Sequence, residues 1–504
     1  MPPPSLIVPP EPFVSNNPFL NIAHSGMNGK LPVFQEAKSL LPVPELPQHS
    51  GFVEMYWRAW EIAWSNLKRP NSENGLISSY MGAVDRPVLS MWESSFVALY
   101  GLYARRAFDF VGALDNFYAH QREDGFIVRE ISTENGQDLF YPYGPNSTGP
   151  NFLAWVEWRN YRATGDNGRL AKIFWPLMAL HRWYRANRTW PNGMYWATGA
   201  SSGLGNQPRV PDSQYHHRHW TWVDANMQAI LDCYVLEQFA TQLQQPDLVQ
   251  ELADERADLI RLVNEHLWDE EAKFYKDTDP NGRYSRIKSI GAYWSLLDKD
   301  IVTPKRLEPF LRHLRETWAY KLSHRVPSQS ADSEGYNPDT GNSCRGGVWP
   351  PLNYVVVRGV NNVGQPKLAH RIAVNHLENI WEVYQHTDTF WENYAPEKAA
   401  PGSPAQSDFV GPSGISPITM LIEHVIGIHA DWPLRRVTWN RMLDTTAKYG
   451  VRNYPFGPEG TFDIVGDSEQ VIVITDVPFT LTIEDNGFSI QTAVPTGTSE
   501  IDLT

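Results

Sequence analysis

From about residue 49 to about residue 428 the apolar positions recur three and four residues apart, the spacing that gives a helix one buried face. The pattern predicts twelve helices, at 51–67, 91–104, 106–121, 150–164, 167–187, 222–243, 247–267, 289–297, 303–315, 351–359, 365–384 and 414–427. The links between them alternate in length. Ala104-Arg105, Thr164-Gly165-Asp166, Gln244-Gln245-Pro246, 297–302 and 360–364 are short, whereas 68–90, 122–149, 188–221, 268–288, 316–350 and 385–413 are long. If consecutive helices run antiparallel, every long loop emerges at one end, where loops of this length carry function. This alternation predicts an all-α fold, an (α/α)6 barrel with six inner and six outer helices. A solenoid or an irregular bundle is the alternative, and no sequence repeat is visible.

The flanks differ in texture. Residues 1–48 are Pro-rich and aperiodic, and predict an extended arm lying on a 49–432 helical domain. After that, Gln470-Val471-Ile472-Val473-Ile474-Thr475 and Phe479-Thr480-Leu481-Thr482-Ile483 alternate β-branched and polar residues between Gly, Pro and Asp. They predict a small β appendage over 433–504, with fraying last residues.

Composition narrows the class. A net charge of −14 argues against nucleic acid or an anionic membrane as partner, and no run reaches transmembrane length. Met1-Pro2-Pro3-Pro4-Ser5 lacks the basic and apolar regions of a leader, which predicts a cytoplasmic protein. The two cysteines, Cys233 and Cys344, define neither a disulfide framework nor a metal site, and Cys233 falls in an apolar helix pattern as a core residue. No cofactor or metal is expected. The 20 Trp, 22 Tyr and 21 Phe exceed what a core of this size needs and leave rings for a binding cleft.

Candidate chemistry lies in the long loops. Phe390-Trp391-Glu392-Asn393-Tyr394 places a carboxylate between flat rings, with Phe409 further along the same loop. Rings stack on sugar faces, and a carboxylate beside them does proton chemistry at a raised pKa. The plainer reading makes Glu392 a helix cap or an arginine partner. Trp92-Glu93 opens a helix, as a sugar contact or as a core ring with an acidic first-turn residue. The loop around Trp196 and Ser202-Gly203-Leu204-Gly205-Asn206-Gln207-Pro208-Arg209 combines small residues with Asn206, Gln207 and Arg209 as donors to hydroxyls. Its nearest carboxylates are Asp212 and Asp224, the latter also a plain helix-start residue. His216-His217-Arg218-His219 lacks acidic or cysteine partners at ligand spacing and predicts a solvated loop. Arg345-Gly346-Gly347-Val348-Trp349-Pro350-Pro351-Leu352-Asn353-Tyr354 is a tight turn presenting a ring at a helix start.

Taken in order, Trp92-Glu93, segment 202–209, segment 345–354 and Trp391-Glu392-Asn393-Tyr394 resemble the trehalase and mannosylglycerate/glucosylglycerate hydrolase-like α-glycosidases of glycoside hydrolase family 63 and its relatives. The resemblance implies an (α/α)6 barrel, an inverting mechanism and no catalytic metal. By motif, Glu392 matches the family's general base. Trp92-Glu93 matches a sugar-binding Trp-Asp pair, here with Glu, and Arg209 and Trp349 match residues lining the innermost subsite. The family's general acid is an aspartate where this chain has Gly205. An inverting enzyme uses two carboxyl groups, and Asp212 is the first substitute, followed by Asp224 and Glu93.

The expectation is an exo-acting inverting glycoside hydrolase for a small oligosaccharide or glycoside. Glu392 and Asp212 would be catalytic; Trp92, Glu93, Trp196, Asn206, Gln207, Arg209, Arg345, Trp349, Trp391, Tyr394 and Phe409 would contact substrate. A sugar lyase or isomerase, or a sugar-binding protein that has lost the acid, are the alternatives that Gly205 raises. The products formed from a panel of disaccharides and glycosides separate the three.

Overall fold

A computed structural model describes residues 10–22, 30–82, 86–485 and 487–503. Twelve helical segments run through the body: Ser50–Ser65, Met91–Gly101, Asp115–Ala119 after a 3₁₀ turn, Leu153–Thr164, Asn167–Asn187, Val223–Gln242, Pro246–His266, a 3₁₀ helix at Ile290–Leu297, Pro304–Arg312, Pro350–Asn362, Pro366–Thr387, and a last segment over 412–426. Each overlaps its predicted counterpart. The last is wound unevenly, a 3₁₀ turn at Pro412–Ile415 running into the π-helical Ser416–Ile426.

Alternate segments close a ring. Met91–Gly101 packs on Leu153–Thr164, that on Val223–Gln242, then Ile290–Leu297, Pro350–Asn362 and Pro412–Ile415, which returns to Met91–Gly101. The burial of each helix follows from its place. Val223–Gln242, in the ring, buries residues on all sides, Asp224, Asn226, Gln228 and Asp232 among them. Pro246–His266, outside it, buries only Leu252, Leu259 and Val263, the single stripe of a surface helix. Each such leucine contributes roughly 1.5–3 kcal/mol when withdrawn from water. The short links are built for reversal. Gly165 closes Leu153–Thr164 with a left-handed φ of 69°, and Asp166 then accepts from Arg169 N at 2.9 Å to start the next helix. An added Cβ on Gly165 would stand 2.4 Å from the Trp432 ring, so a larger residue breaks the link to the sheets.

The chain is not all-α. Two sheets follow the helices. One has five antiparallel strands in the order Val43–Glu45, Tyr449–Phe456, Gly460–Gly466, Gln470–Thr475, Gly497–Asp502. The other orders Phe488–Val494, Phe479–Asp485, Arg436–Arg441 and Ile428–Asp431, with Thr480 opposite Arg436 in a parallel pair. Alternating burial along Arg436–Arg441 aims Val437, Trp439 and Arg441 inward. Phe456, Phe462 and Phe479 pack together with ring centres 5.3–5.7 Å apart.

Two expectations change here. The described part of the N-terminal arm is not simply extended: prolines open 3₁₀ turns at Pro12–Asn16 and Pro18–Asn21, and Val43–Glu45 joins the five-stranded sheet with Val43 opposite Arg452. The last strand, Gly497–Asp502, is paired along its length with Gln470–Thr475 instead of fraying. Among the described residues no helix is long and apolar enough to cross a membrane.

Candidate active site

The long loops meet one another. Asn206 binds the turn before Pro350–Asn362 from both ends of its amide: Nδ2 donates to Asn342 O at 2.8 Å, and Oδ1 accepts from Cys344 N at 2.9 Å. Arg345 Nε returns a bond to Asn206 O at 3.3 Å. Trp349, the residue before that helix, is half-buried and donates Nε1–H to Ser343 O at 3.2 Å. Val348 and Tyr394 exchange backbone bonds of 2.8 and 3.0 Å, which fastens the 342–349 turn to the 390–414 loop. The glycines at this junction have a steric reason: a Cβ on Gly402 would overlap Asn393 Oδ1, and one on Gly347 would stand 2.2 Å from Ser343 O.

Glu392 is half-buried on this loop, its N–H bonded to Gln406 O at 2.9 Å and its carbonyl accepting from Ser413 Oγ at 3.4 Å. Its charge reaches Cys344. Burial pushes the Cys344 thiol up to about 11, opposed by its contact with Ser343 Oγ and assisted by the Glu392 charge, while the thiol lies 4.0 Å from Gly203 O. Two residues before Ser413, a Cβ on Gly411 would be 3.7 Å from both Glu93 Oε2 and the Phe409 ring. Glu93 lies in the first turn of Met91–Gly101, where Ser90 Oγ accepts its N–H at 3.5 Å. Trp92 turns its ring edge-on to Phe96 and Phe152, at 4.8 and 5.4 Å. The segment 409–413 therefore passes near Glu93 at one point and bonds the Glu392 backbone at another.

A family model described as the mannosylglycerate hydrolase MGH1-like glycoside hydrolase domain matches residues 87–409. The chain belongs to this glycoside hydrolase family. An uncharacterized protein of Borreliella burgdorferi is 24% identical over 350 residues, covering 67% of this chain and 72% of its own length. A probable mannosyl-oligosaccharide glucosidase of Schizosaccharomyces pombe is 22% identical over 327 residues; the match covers 58% of this chain and only 37% of that protein. The solved GH63 mannosylglycerate hydrolase from Thermus thermophilus, in complex with glucose, superposes with a TM-score of 0.57 at 21% identity, over 72% of this chain and 98% of its own. That likeness is one of fold.

In this glycoside hydrolase several of the residues expected at the substrate are buried or held by other side chains. Arg209 is fully buried. Its Nη1 and Nη2 bond Asp224 at 2.6 and 3.0 Å, its Nε bonds Asp277 at 2.7 Å, and its guanidinium lies 4.5 Å from the Trp222 ring centre. Burial alone would lower its pKa; the two carboxylates outweigh that and raise it. Arg209 thus fixes its loop from beneath. Asp224 is held with it, although it and the half-buried Trp196 border one small cavity. Asp212, expected as the catalytic acid, is not enclosed as a proton donor near neutral pH would be: its side chain is 89% exposed, in a turn with φ of 47°, with Arg218 3.9 Å away. Tyr394 is buried, and its hydroxyl accepts from Trp391 N at 3.1 Å. Phe409 is buried beside Gly411, and Gln207 is buried with Nε2 on Ser328 O at 2.7 Å. Trp391 stays half-buried, its Nε1–H on Thr387 Oγ1 at 3.2 Å.

The 216–219 loop is mostly exposed, and its imidazoles gather beside Trp190 and Trp196. Among the described residues, one group has metal-ligand spacing, His181, Cys233 and Glu255, with Tyr195 of the 188–221 loop donating to Glu255 at 3.3 Å. Both imidazole nitrogens of His181 are taken, by Asp232 at 2.8 Å and Glu255 at 3.2 Å. Burial opposes the charge, but these carboxylates outweigh it and raise His181 to about 10, which makes the group a buried ion cluster.

Proposed function

We propose that the closed helical ring is an (α/α)6 barrel and that its loop end is the cleft of an exo-acting, inverting glycosidase for a small oligosaccharide or glycoside. The observation that carries the reading is the meeting of the long loops beside Glu392: Asn206 holds the 342–349 turn, that turn pairs with Tyr394 two residues from Glu392, and Ser413 bonds the Glu392 carbonyl from the segment that passes near Glu93. Trp92, Trp349 and Trp391 are the half-buried rings of these loops, suited to stacking on a sugar.

In this reading Glu392 is the general base. It takes a proton from water as the water oxygen bonds the anomeric carbon, while the glycosidic C–O bond breaks on the opposite face. The departing oxygen needs a proton, and the Gly205 position has none to give. Of the candidate carboxyls, Asp212 is exposed and Asp224 is held by Arg209. Glu93 is half-buried beside the segment that reaches Glu392, and we assign it the proton donor's part. An inverting pair is separated by about 6.5–9.5 Å, which leaves room for the water.

Proton NMR of the first anomer released, from a panel of α- and β-linked disaccharides and glycosides, tests this. The expected product has the anomeric configuration opposite to that of the substrate. Retention, or an ultraviolet-absorbing unsaturated sugar, would reject the assignment.

A further inference from the structure

Leu153–Thr164 and Ser416–Ile426 pack on strand Ile428–Asp431 of the second sheet. There, between Tyr103, Arg159 and Arg358 on the helices and strands Ile428–Asp431, Arg436–Arg441 and Tyr449–Phe456, lies a cavity of about 210 Å³. Five arginines line it, Arg105, Arg159, Arg162, Arg358 and Arg436, against the two carboxylates Glu423 and Asp431. Glu423 is already saturated. It accepts from Arg159 at 2.5 Å, Arg358 at 3.3 Å, and the hydroxyls of Tyr103 and Tyr354 at 3.1 Å each. Burial alone would raise its pKa; the two arginines outweigh that and hold it at about 2. Arg162 lies against Asp431.

Positive charge and hydrogen-bond donors are left over. Arg105 gives its Nη groups to the carbonyls of Leu102 and Gly457, both at 2.8 Å, while its Nε is buried without a partner among the described residues. Arg159 Nε is in the same state. The Arg436 side chain makes no hydrogen bond or ion pair among the described residues. His429 accepts from Arg358 on Nδ1 at 3.0 Å, so its own proton sits on Nε2, buried and lacking an acceptor among the described residues. Buried donors of this kind require an acceptor, and five guanidinium groups against two carboxylates leave the lining with a net positive charge. Helix C-termini also draw cations, but among these arginines only Arg105 bonds a helix-end carbonyl, that of Leu102.

We propose that this cavity binds a small phosphate-bearing anion, with Arg105, Arg162 and Arg436 around the phosphoryl oxygens and His429 Nε2–H donating to one of them. A phosphate dianion matches the surplus: several acceptor oxygens, a charge near −2, and the geometry that planar guanidinium forks favour. The space is roughly seven times the ~30 Å³ of a liquid water, enough for a phosphoryl group with part of an organic residue.

Calorimetric titration of the intact protein with inorganic phosphate, and with acetate at matched ionic strength, tests the site. The expected result is saturable phosphate binding at least tenfold tighter than acetate binding. In Arg436→Glu, whose exposed position leaves the fold intact by circular dichroism, phosphate affinity should fall at least tenfold. Arg105→Gln should do the same in whatever fraction folds. Absence of saturable binding, equal affinity for acetate, or an unchanged constant in Arg436→Glu would overturn the proposal.

Discussion

Arg209 holds Asp224 through both Nη nitrogens, at 2.6 and 3.0 Å, with no part of its side chain reaching solvent. Asp277 takes the remaining edge. A motif arginine has thus become a buried cross-link between the 188–221 loop, the start of Val223–Gln242 and the 268–288 loop. Arg209→Met leaves two buried carboxylates without their cation, a loss of about 3–5 kcal/mol by analogy with other broken buried pairs. Denaturant unfolding should show the fall in midpoint. A variant of native stability with only a raised KM would mean that Arg209 acts on substrate.

Leaving-group dependence isolates the proposed proton donor. Glu93→Gln should lose on the order of 10²-fold or more in kcat on an alkyl glycoside, and retain most of its rate on an activated aryl glycoside whose leaving group needs no proton. Asp212→Asn, altering an exposed turn residue, should match the parent on both. Equal losses on both glycosides in Glu93→Gln would remove Glu93 from that role and leave it as a sugar contact.

Gly205 has nothing within 4 Å of an added Cβ and lies outside the left-handed region, so a side chain there meets open space without strain. Gly205→Asp should fold with an unchanged melting temperature and raise turnover of an alkyl glycoside on the order of tenfold, by supplying a second acid where the family carries its own. A stable Gly205→Asp protein with no gain would show that the position does not face the scissile bond.

The helical core is acid-sensitive. His324 Nε2 and His376 Nδ1 share a hydrogen bond of 2.8 Å, and His376 Nε2 meets Ser416 Oγ at 3.0 Å. Burial depresses both imidazoles, His376 to about 3 from the usual 6.5. An unfolded histidine binds its proton below about pH 6.5 and these do not, so stability should be full above that point and decline as pH falls toward about 3. Calorimetry from about pH 7.5 to about pH 4 should show the decline, less steep in His376→Gln. A flat melting temperature over that range would contradict the buried neutral pair.

Much of the body was legible from local signals. Apolar period and loop length located all twelve helical segments, because a helix boundary depends on residues within a turn of it, as Gly165 and Asp166 illustrate. What failed was long-range. The strand at Val43–Glu45 exists only because Tyr449–Phe456 offers an edge some four hundred positions later, and prolines around it hid the pattern. Arg209 carries the same side chain whether it faces a sugar or Asp277, and only the fold decides which. Asp212 is the carboxylate nearest Gly205 along the loop, whereas burial is a property of the loop's path. The arginine cavity draws on positions 105, 159, 162, 358 and 436, scattered singly among ordinary helix and strand residues, and left no mark in the sequence.

The proposed role of Glu392 as the base of this glycoside hydrolase is decided by Glu392→Gln. The exchange keeps the shape of the side chain and removes its ability to take a proton. Once a turned-over glycoside is in hand, kcat of the purified variant, its fold verified by melting temperature, should fall by about 10²–10⁴-fold with little change in KM. A correctly folded Glu392→Gln enzyme that hydrolyses the same glycoside at near the parental rate would contradict the account.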